Sequence, residues 1–203
     1  MTDEAADQLR RAAARTEAVE VVDEDGTVID VVPRSRIRAE NLRHRCTYVV
    51  VVAGPADADP AVPIAPDAEI WVHQRAPWKD VFPSAWDVAF GGLCDVGEPW
   101  EVAARRELAE EAGIRGAALR PLGSGIYEDE HTRLVGRGFL TTWPDRPSCP
   151  DGEVVALERL PIAELERWAE TVTVCTDSAA MVIPAVVALL PGSGSAAAGA
   201  AGG

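Results

Sequence analysis

Gly92-Leu-Cys-Asp-Val-Gly-Glu98-Pro-Trp-Glu-Val-Ala-Ala-Arg-Arg106-Glu107-Leu108-Ala-Glu110-Glu111-Ala-Gly113-Ile114 is the stretch from which the rest of the chain is read. From Pro99 to Ala112 it is the strongest helix pattern in the sequence. Proline suits the first turn and Gly113 the stop. At 100° per residue, Glu107, Glu110 and Glu111 fall within about a third of the helix circumference, at i, i+3 and i+4. Three like charges so placed weaken an isolated helix and serve no folding purpose. Hard oxygen ligands gathered at one point suit Mg²⁺ or Mn²⁺, which would relieve the repulsion. Gly91-Gly92 permits close backbone approach and can offer a carbonyl as a further hard ligand. Glu98 and Glu101 sit where a helix N-terminus favours negative charge, and Arg106 can pair with Glu98 or orient a glutamate. Taken alone, Glu-x-x-Glu-Glu is more often a solvated acidic face. Its surroundings decide the matter.

Outward from this helix the pattern is mixed. Glu20 to Asp23 and Thr27 to Val32 are β-rich, with an Asp25-Gly26 hairpin signal between them. Pro33 to Leu42 is basic and reads as a helical turn. Cys46 to Val52 is a β-branched run suited to a buried strand. Glu69 to Arg75 and Trp86 to Phe90 are strands, two or three more lie between Leu119 and Trp143, and another runs from Glu153 to Leu160. Ile162 to Glu170 and Asp177 to Leu190 read as helices. The expected organisation is an N-terminal extension over residues 1–18 with a short helix at 3–18, one α/β domain over 19–190, and a disordered Gly/Ala-rich tail over 191–203.

The 203 residues are 47% apolar, enough for one domain with a full core. No apolar run is long enough to span a bilayer, and the acidic start lacks the order of a signal peptide, so the expected place is the cytoplasm, with no membrane partner. The four cysteines show no metal-site spacing and are read as reduced. A net charge of −14 disfavours nucleic acid and would repel a free phosphate compound unless cations correct it locally. Lys79, the only lysine, and Arg75 flank the strand leading to the helix and are candidate phosphate ligands. Trp78, with Trp71 and Trp86, is a candidate apolar or stacking wall, though each tryptophan suits the core equally well. The basic run Arg34 to Arg38 is explained by a short exposed helix.

The quoted stretch resembles the Nudix box, Gly-x5-Glu-x7-Arg-Glu-U-x-Glu-Glu-x-Gly-U with U a bulky aliphatic residue. Gly92, Glu98, Arg106, Glu107, Leu108, Glu110, Glu111, Gly113 and Ile114 fill every fixed place. The resemblance implies an α/β/α sandwich around a mixed β-sheet, with the box as a catalytic loop–helix–loop. It implies a MutT-like hydrolase, a pyrophosphatase acting on a small-molecule diphosphate, commonly a nucleoside diphosphate linked to X. Glu107, Glu110 and Glu111 would bind the metal with the carbonyl of Gly91 or Gly92, while Gly92, Glu98, Arg106 and Gly113 support the junction. Glu107 and Glu110 are candidate general bases, with Glu128, Asp129, Glu130 and Glu153 as candidates outside the box.

The upstream segment, with Leu42-Arg43-His44-Arg45-Cys46-Thr47-Tyr48, Gln74-Arg75 and Pro83-Ser84-Ala85-Trp86-Asp87, resembles the branch related to type 1 isopentenyl-diphosphate isomerase. That enzyme carries a cysteine just before the box glycine and a histidine just after it. Gly91 and Leu93 stand there, Cys94 is displaced, and His44 alone matches an isomerase metal ligand. The intact box favours hydrolysis over isomerisation, and over a nucleotide-sensing module that has lost its catalytic carboxylates. A homodimer through the N-terminal strands is left open.

Overall fold

The structure is a computed structural model and describes residues 15–55, 64–65 and 67–191. The tail and nearly all of the expected N-terminal helix lie outside these residues. The chain enters through β1 (Ala18–Val22), which pairs antiparallel with β2 (Val28–Pro33). Asp23 turns the hairpin, its Oδ1 accepting from the backbone N–H of Asp25 and Thr27, and Gly26 supplies the left-handed φ of 78°. The basic segment then forms α1 (Arg34–Glu40), which ends on Asn41 in the left-handed region. Val19, Val21, Val32 and Ile37 make a small core of their own, and Leu93 packs against it.

The β-branched run becomes β3 (His44–Ala53), the axis of the molecule. β7 (Arg133–Trp143) runs parallel to it along its whole length, and β6 (Arg120–Glu128) is antiparallel to β7. The region between Leu119 and Trp143 therefore holds two strands. On its other edge β3 meets β1 through the pair Val21–His44 and β4 (Glu69–Arg75) through Val52–Ile70. β4 pairs with β5 (Trp86–Asp87) and β8 (Val154–Pro161), completing a mixed sheet. The strand expected over Trp86 to Phe90 is shorter than its pattern. Beyond Asp87 the chain swings across to β3 and joins it by single bridges at Val49–Phe90 and Cys46–Leu93.

Strand alternation sorts β3 between two cores. Val49 and Val51 face α2 (Trp100–Glu111), where they meet Phe90, Ala104, Leu108 and Ile114. Tyr48, Val50 and Val52 face the C-terminal segment, with Ile162, Leu165, Val182, Ile183 and Val186. The expected α/β/α sandwich is present. Its second helical layer is more broken than the pattern suggested. A 3₁₀ turn at Ile162–Glu164 leads into α3 (Leu165–Ala169), and a π turn at Ser178–Val182 leads into α4 (Ile183–Val187). Pro184, in the first turn of α4, can be held there because its missing N–H is not needed.

Leu108 is buried in the seam between α2 and the sheet. Leu108→Ala is expected to lower the unfolding free energy by about 2–5 kcal/mol, the usual cost of such a cavity, read by urea denaturation.

Candidate functional site

The box helix is stopped by Gly113 at φ 71°, and the N–H groups of Ala112 and Ile114 both reach the carbonyl of Leu108. On the face toward the 91–93 loop, Arg106 is the organising side chain. Its Nε and Nη2 bind Glu98 at 3.1 and 2.8 Å, Nη2 also donates to the Leu93 carbonyl at 3.0 Å, and Nη1 reaches Glu107 at 2.7 Å and Glu110 at 3.3 Å. Glu98, held below the usual carboxylate range chiefly by Arg106, also accepts from the N–H of Asp95 at 2.9 Å. One guanidinium thus ties the loop entering the helix to two of the three predicted metal ligands.

The third ligand sits deeper. Glu111 is buried, accepts from the N–H of Gly91 at 2.9 Å, and lies 3.7 Å from the Lys79 ammonium. Lys79 also donates to Glu153. Burial works against the Glu153 charge, but Lys79 outweighs it and holds the carboxyl below its ordinary value. Of the acidic candidates outside the box, Glu153 is the one brought to the site. Glu128 pairs with Arg43 and Arg133, Asp129 caps the turn before Thr132 and takes the Tyr127 hydroxyl, and Glu130 is exposed.

Gly92 explains its own identity. A Cβ there would stand 2.8 Å from the Glu107 carboxylate. Its carbonyl accepts from the N–H of Thr47 at 2.9 Å. Together these groups line a cleft of about 290 Å³. Arg75 and Lys79, the candidate phosphate ligands, also line it, as do Arg34 and Arg38, which sequence reasoning assigned to an exposed helix. Both arginines pair with Asp80 at 3.2 Å, and Arg34 with Glu17 at 3.1 Å. Burial opposes the Asp80 charge, yet Arg34 and Arg38 bring its pKa down to about 2. Their spacing of i, i+4 beside the apolar Ile37 was the available signal. Trp78 is a correction: it lies beside the Lys79 ammonium, 5.8 Å from its ring centre, and does not line the cleft. Trp71 belongs to the core and Trp86 stacks edge-on against Trp168.

Among the described residues, no three His, Cys, Asp or Glu side chains are drawn together in ligating positions. Arg106 keeps Glu107 and Glu110 on its own nitrogens, and Lys79 holds Glu111 toward Glu153. The donor set nevertheless fits a hard divalent cation. Burial, with Glu110 adding to it, pushes Glu107 up to about 7 despite Arg106. Burial and the charge of Glu107 push Glu111 well above the carboxylate range. These are carboxylates whose ionised form has too little positive charge around it. A thiol nucleophile is absent from the cleft. Cys94 is buried, and burial raises it to about 12. His44 is buried with Nδ1 2.9 Å from the Leu42 carbonyl, and burial lowers it to about 4.

The NUDIX domain model matches residues 54–174. The chain is 37% identical over 130 residues to the uncharacterized Nudix hydrolase YfcD of Salmonella typhi, covering 64% of this chain and 64% of that protein. It is 32% identical over 169 residues to the uncharacterized Nudix hydrolase PA4841 of Pseudomonas aeruginosa, covering 83% of this chain and 92% of that one. The crystal structure of DR0079 from Deinococcus radiodurans shares the fold, with a TM-score of 0.64 at 22% identity over 84% of this chain and 97% of its own. The chain therefore belongs to the Nudix family. No helix among the described residues is long and apolar enough to cross a membrane.

With carboxylates raised in this way, binding of a divalent cation here would be proton-linked. Glu107 has its folded pKa above its ordinary 4.5, so its neutral form is favoured in the fold, and the stability this gives is lost as pH rises from about 4.5 through about 7. A cation that prefers the ionised form restores stability where the proton has left. The rise in Tm on adding Mg²⁺ is therefore expected to be larger at pH 8 than at pH 5.5, measured by thermal denaturation against a chelated control. The difference should shrink in Glu107→Gln.

Proposed function

We propose that the protein hydrolyses a diphosphate bond in a small molecule, a nucleoside diphosphate linked to a further group X, with Mg²⁺ or Mn²⁺ held by Glu107, Glu110 and Glu111 and the carbonyl of Gly91. The observation that carries this reading is one cleft lined both by the box carboxylates Glu107, Glu110 and Glu111 and by the basic side chains of Arg34, Arg38, Arg75 and Lys79. The Gly92 carbonyl is engaged by Thr47, which favours Gly91 as the carbonyl donor. Bound there, the cation would neutralise the diphosphate and polarise phosphorus.

The chain's own groups supply the rest. Arg75, Lys79, Arg34 and Arg38 bind and orient phosphate oxygens, correcting locally for the acidic surface. Arg106 touches the glutamates rather than the reacting atoms and is a positioning residue. Glu107, the more buried of the two, and Glu110 are the candidate bases within the box to take the proton from water. Glu153 is the candidate base outside the box.

Glu111→Gln is expected to cut turnover by about 10²-fold or more, with the fold intact by circular dichroism and products identified after incubation of diphosphate compounds with Mg²⁺. Near-wild-type turnover would remove the assignment. Arg38→Ala is expected to raise KM by about tenfold, the loss of one charge-assisted hydrogen bond. Isomer formation from isopentenyl diphosphate without phosphate release would favour the isomerase reading instead.

A further inference from the structure

Glu20 and Arg45 form an ion pair inside the fold that the hydrolysis just described does not use. Glu20 lies in the middle of β1 and Arg45 near the start of β3, both N-terminal to the region matched by the Nudix domain. Both are buried, and Glu20 Oε2 stands 2.7 Å from Arg45 Nη2. The β1 neighbours Val19 and Val21 face the small hairpin core. Strand alternation turns Glu20 to the opposite face, where it meets the loop that enters the box helix.

A buried ion pair is a poor way to stabilise a fold. Desolvating both charges offsets most of their attraction, and apolar side chains of like volume serve as well or better. The use of this pair shows in what it touches. Glu20 Oε1 accepts from the N–H of Gly97 at 2.8 Å, and Arg45 Nη2 donates to the carbonyl of Asp95 at 3.3 Å. The Arg45 carbonyl accepts from the N–H of Cys94 at 3.1 Å, and its guanidinium lies 5.0 Å from the ring centre of Trp100, the first residue of α2. Cys94, Asp95, Gly97 and Trp100 are thus held from β1 and β3.

The same turn is held from the helix side by Glu98. Its N–H donates to the Asp95 carbonyl at 3.0 Å, the acceptor that Arg45 also uses, and its carboxylate binds Arg106. Arg106 in turn carries Glu107 and Glu110. A continuous run of polar contacts therefore leads from Glu20 through the 95–98 turn to the box carboxylates. Gly97 precedes Glu98 directly, so a shift of the turn shifts the side chain that clamps Arg106.

We propose that Glu20 is a positioning residue for the metal site: with Arg45 it fixes the turn at 95–98, and through Glu98 and Arg106 it sets where Glu107 and Glu110 stand. This rests on the reading of those glutamates as metal ligands. The N-terminal hairpin region then serves the chemistry twice. Its helix α1 brings Arg34 and Arg38 to the cleft, and β1 braces the loop that leads into the carboxylates.

The test exchanges the pair for apolar side chains of similar volume, Glu20→Leu with Arg45→Met. This strands no charge, and Gly97 is exposed, so its N–H can turn to water. The double variant is expected to unfold no earlier in urea than the wild type, yet to bind Mg²⁺ about tenfold more weakly by titration calorimetry, the low end of the usual effect of groups that orient metal ligands. Val19→Ala, a cavity in the same strand, is expected to lower stability and leave the Mg²⁺ affinity unchanged. If the double variant does not fold, Glu20→Asp replaces it. One methylene shorter, that side chain still neutralises Arg45 but cannot also reach Gly97, and Mg²⁺ binding should again weaken. An affinity unmoved in the folded variant, or a loss matched by Val19→Ala, overturns this proposal alone. No Mg²⁺ binding by the wild-type protein removes the metal reading and this proposal with it.

Discussion

Backbone contact between the 90–93 segment and β3 is the constraint on which the site depends. Phe90 and Val49 exchange N–H···O bonds at 3.0 and 2.7 Å, and Thr47 donates to Gly92 at 2.9 Å. A Cβ on Gly91 would run into the Thr47 carbonyl oxygen, so a side chain at this point would push the loop off the strand. With the loop pinned, the Gly91 N–H faces Glu111 and the Leu93 carbonyl faces Arg106. The helix is then held in register with the loop by polar bonds at one end and by Ala104 and Leu108 packing on the sheet along its length. Removing either anchor would leave the glutamates on a helix free to shift, and positional errors of about 1 Å are costly to catalysis.

The second dependency is electrostatic. Three carboxylates on adjoining turns repel one another, and burial of Glu107 and Glu111 sharpens the penalty. The protein offsets it with two cations placed between them, Arg106 at Glu107 and Glu110 and Lys79 at Glu111 and Glu153. Neither compensates fully, since Glu107 and Glu111 keep raised pKa values. A divalent ion can compete for these oxygens because it carries twice the charge of either side chain.

Much of this was legible in the chain. The β3, β4 and α2 segments declared themselves through β-branched runs and a capped helix, and the grouping of Glu98, Arg106 and the three glutamates through the resemblance to the Nudix box. What stayed hidden depends on contacts distant in sequence. Arg34 and Arg38 read as an exposed helix because nothing local shows that α1 is carried to the cleft by a hairpin core including Val19 and Val32. Glu153 looked no different from Glu128 until β8 paired with β4 and set it beside Lys79. Trp78 misled for the converse reason: it neighbours Lys79 in sequence, yet the turn at 77–79 directs the ammonium into the cleft and leaves the ring outside. The break between the π turn and α4 was also invisible, since periodicity over Asp177 to Leu190 is close to helical throughout.

That π turn bears on which chemistry the scaffold suits. It presents Asp177 and Ser178 to Tyr48 and Asp87, so a cavity of about 60 Å³ next to the cleft, lined by Tyr48, Arg75, Asp87 and Asp177, is walled by hydrogen-bonding groups where a prenyl-accepting site would need hydrocarbon. The sequence argument against isomerisation was the absence of a cysteine at Gly91. The structure adds an independent one, because an apolar chain entering this cavity would lie against two buried carboxyls and the Arg75 guanidinium and bury their charge further, which is costly. Two features far apart in sequence, the Gly91 backbone contact and the polar wall behind it, therefore argue in the same direction, against isomerisation of a prenyl chain.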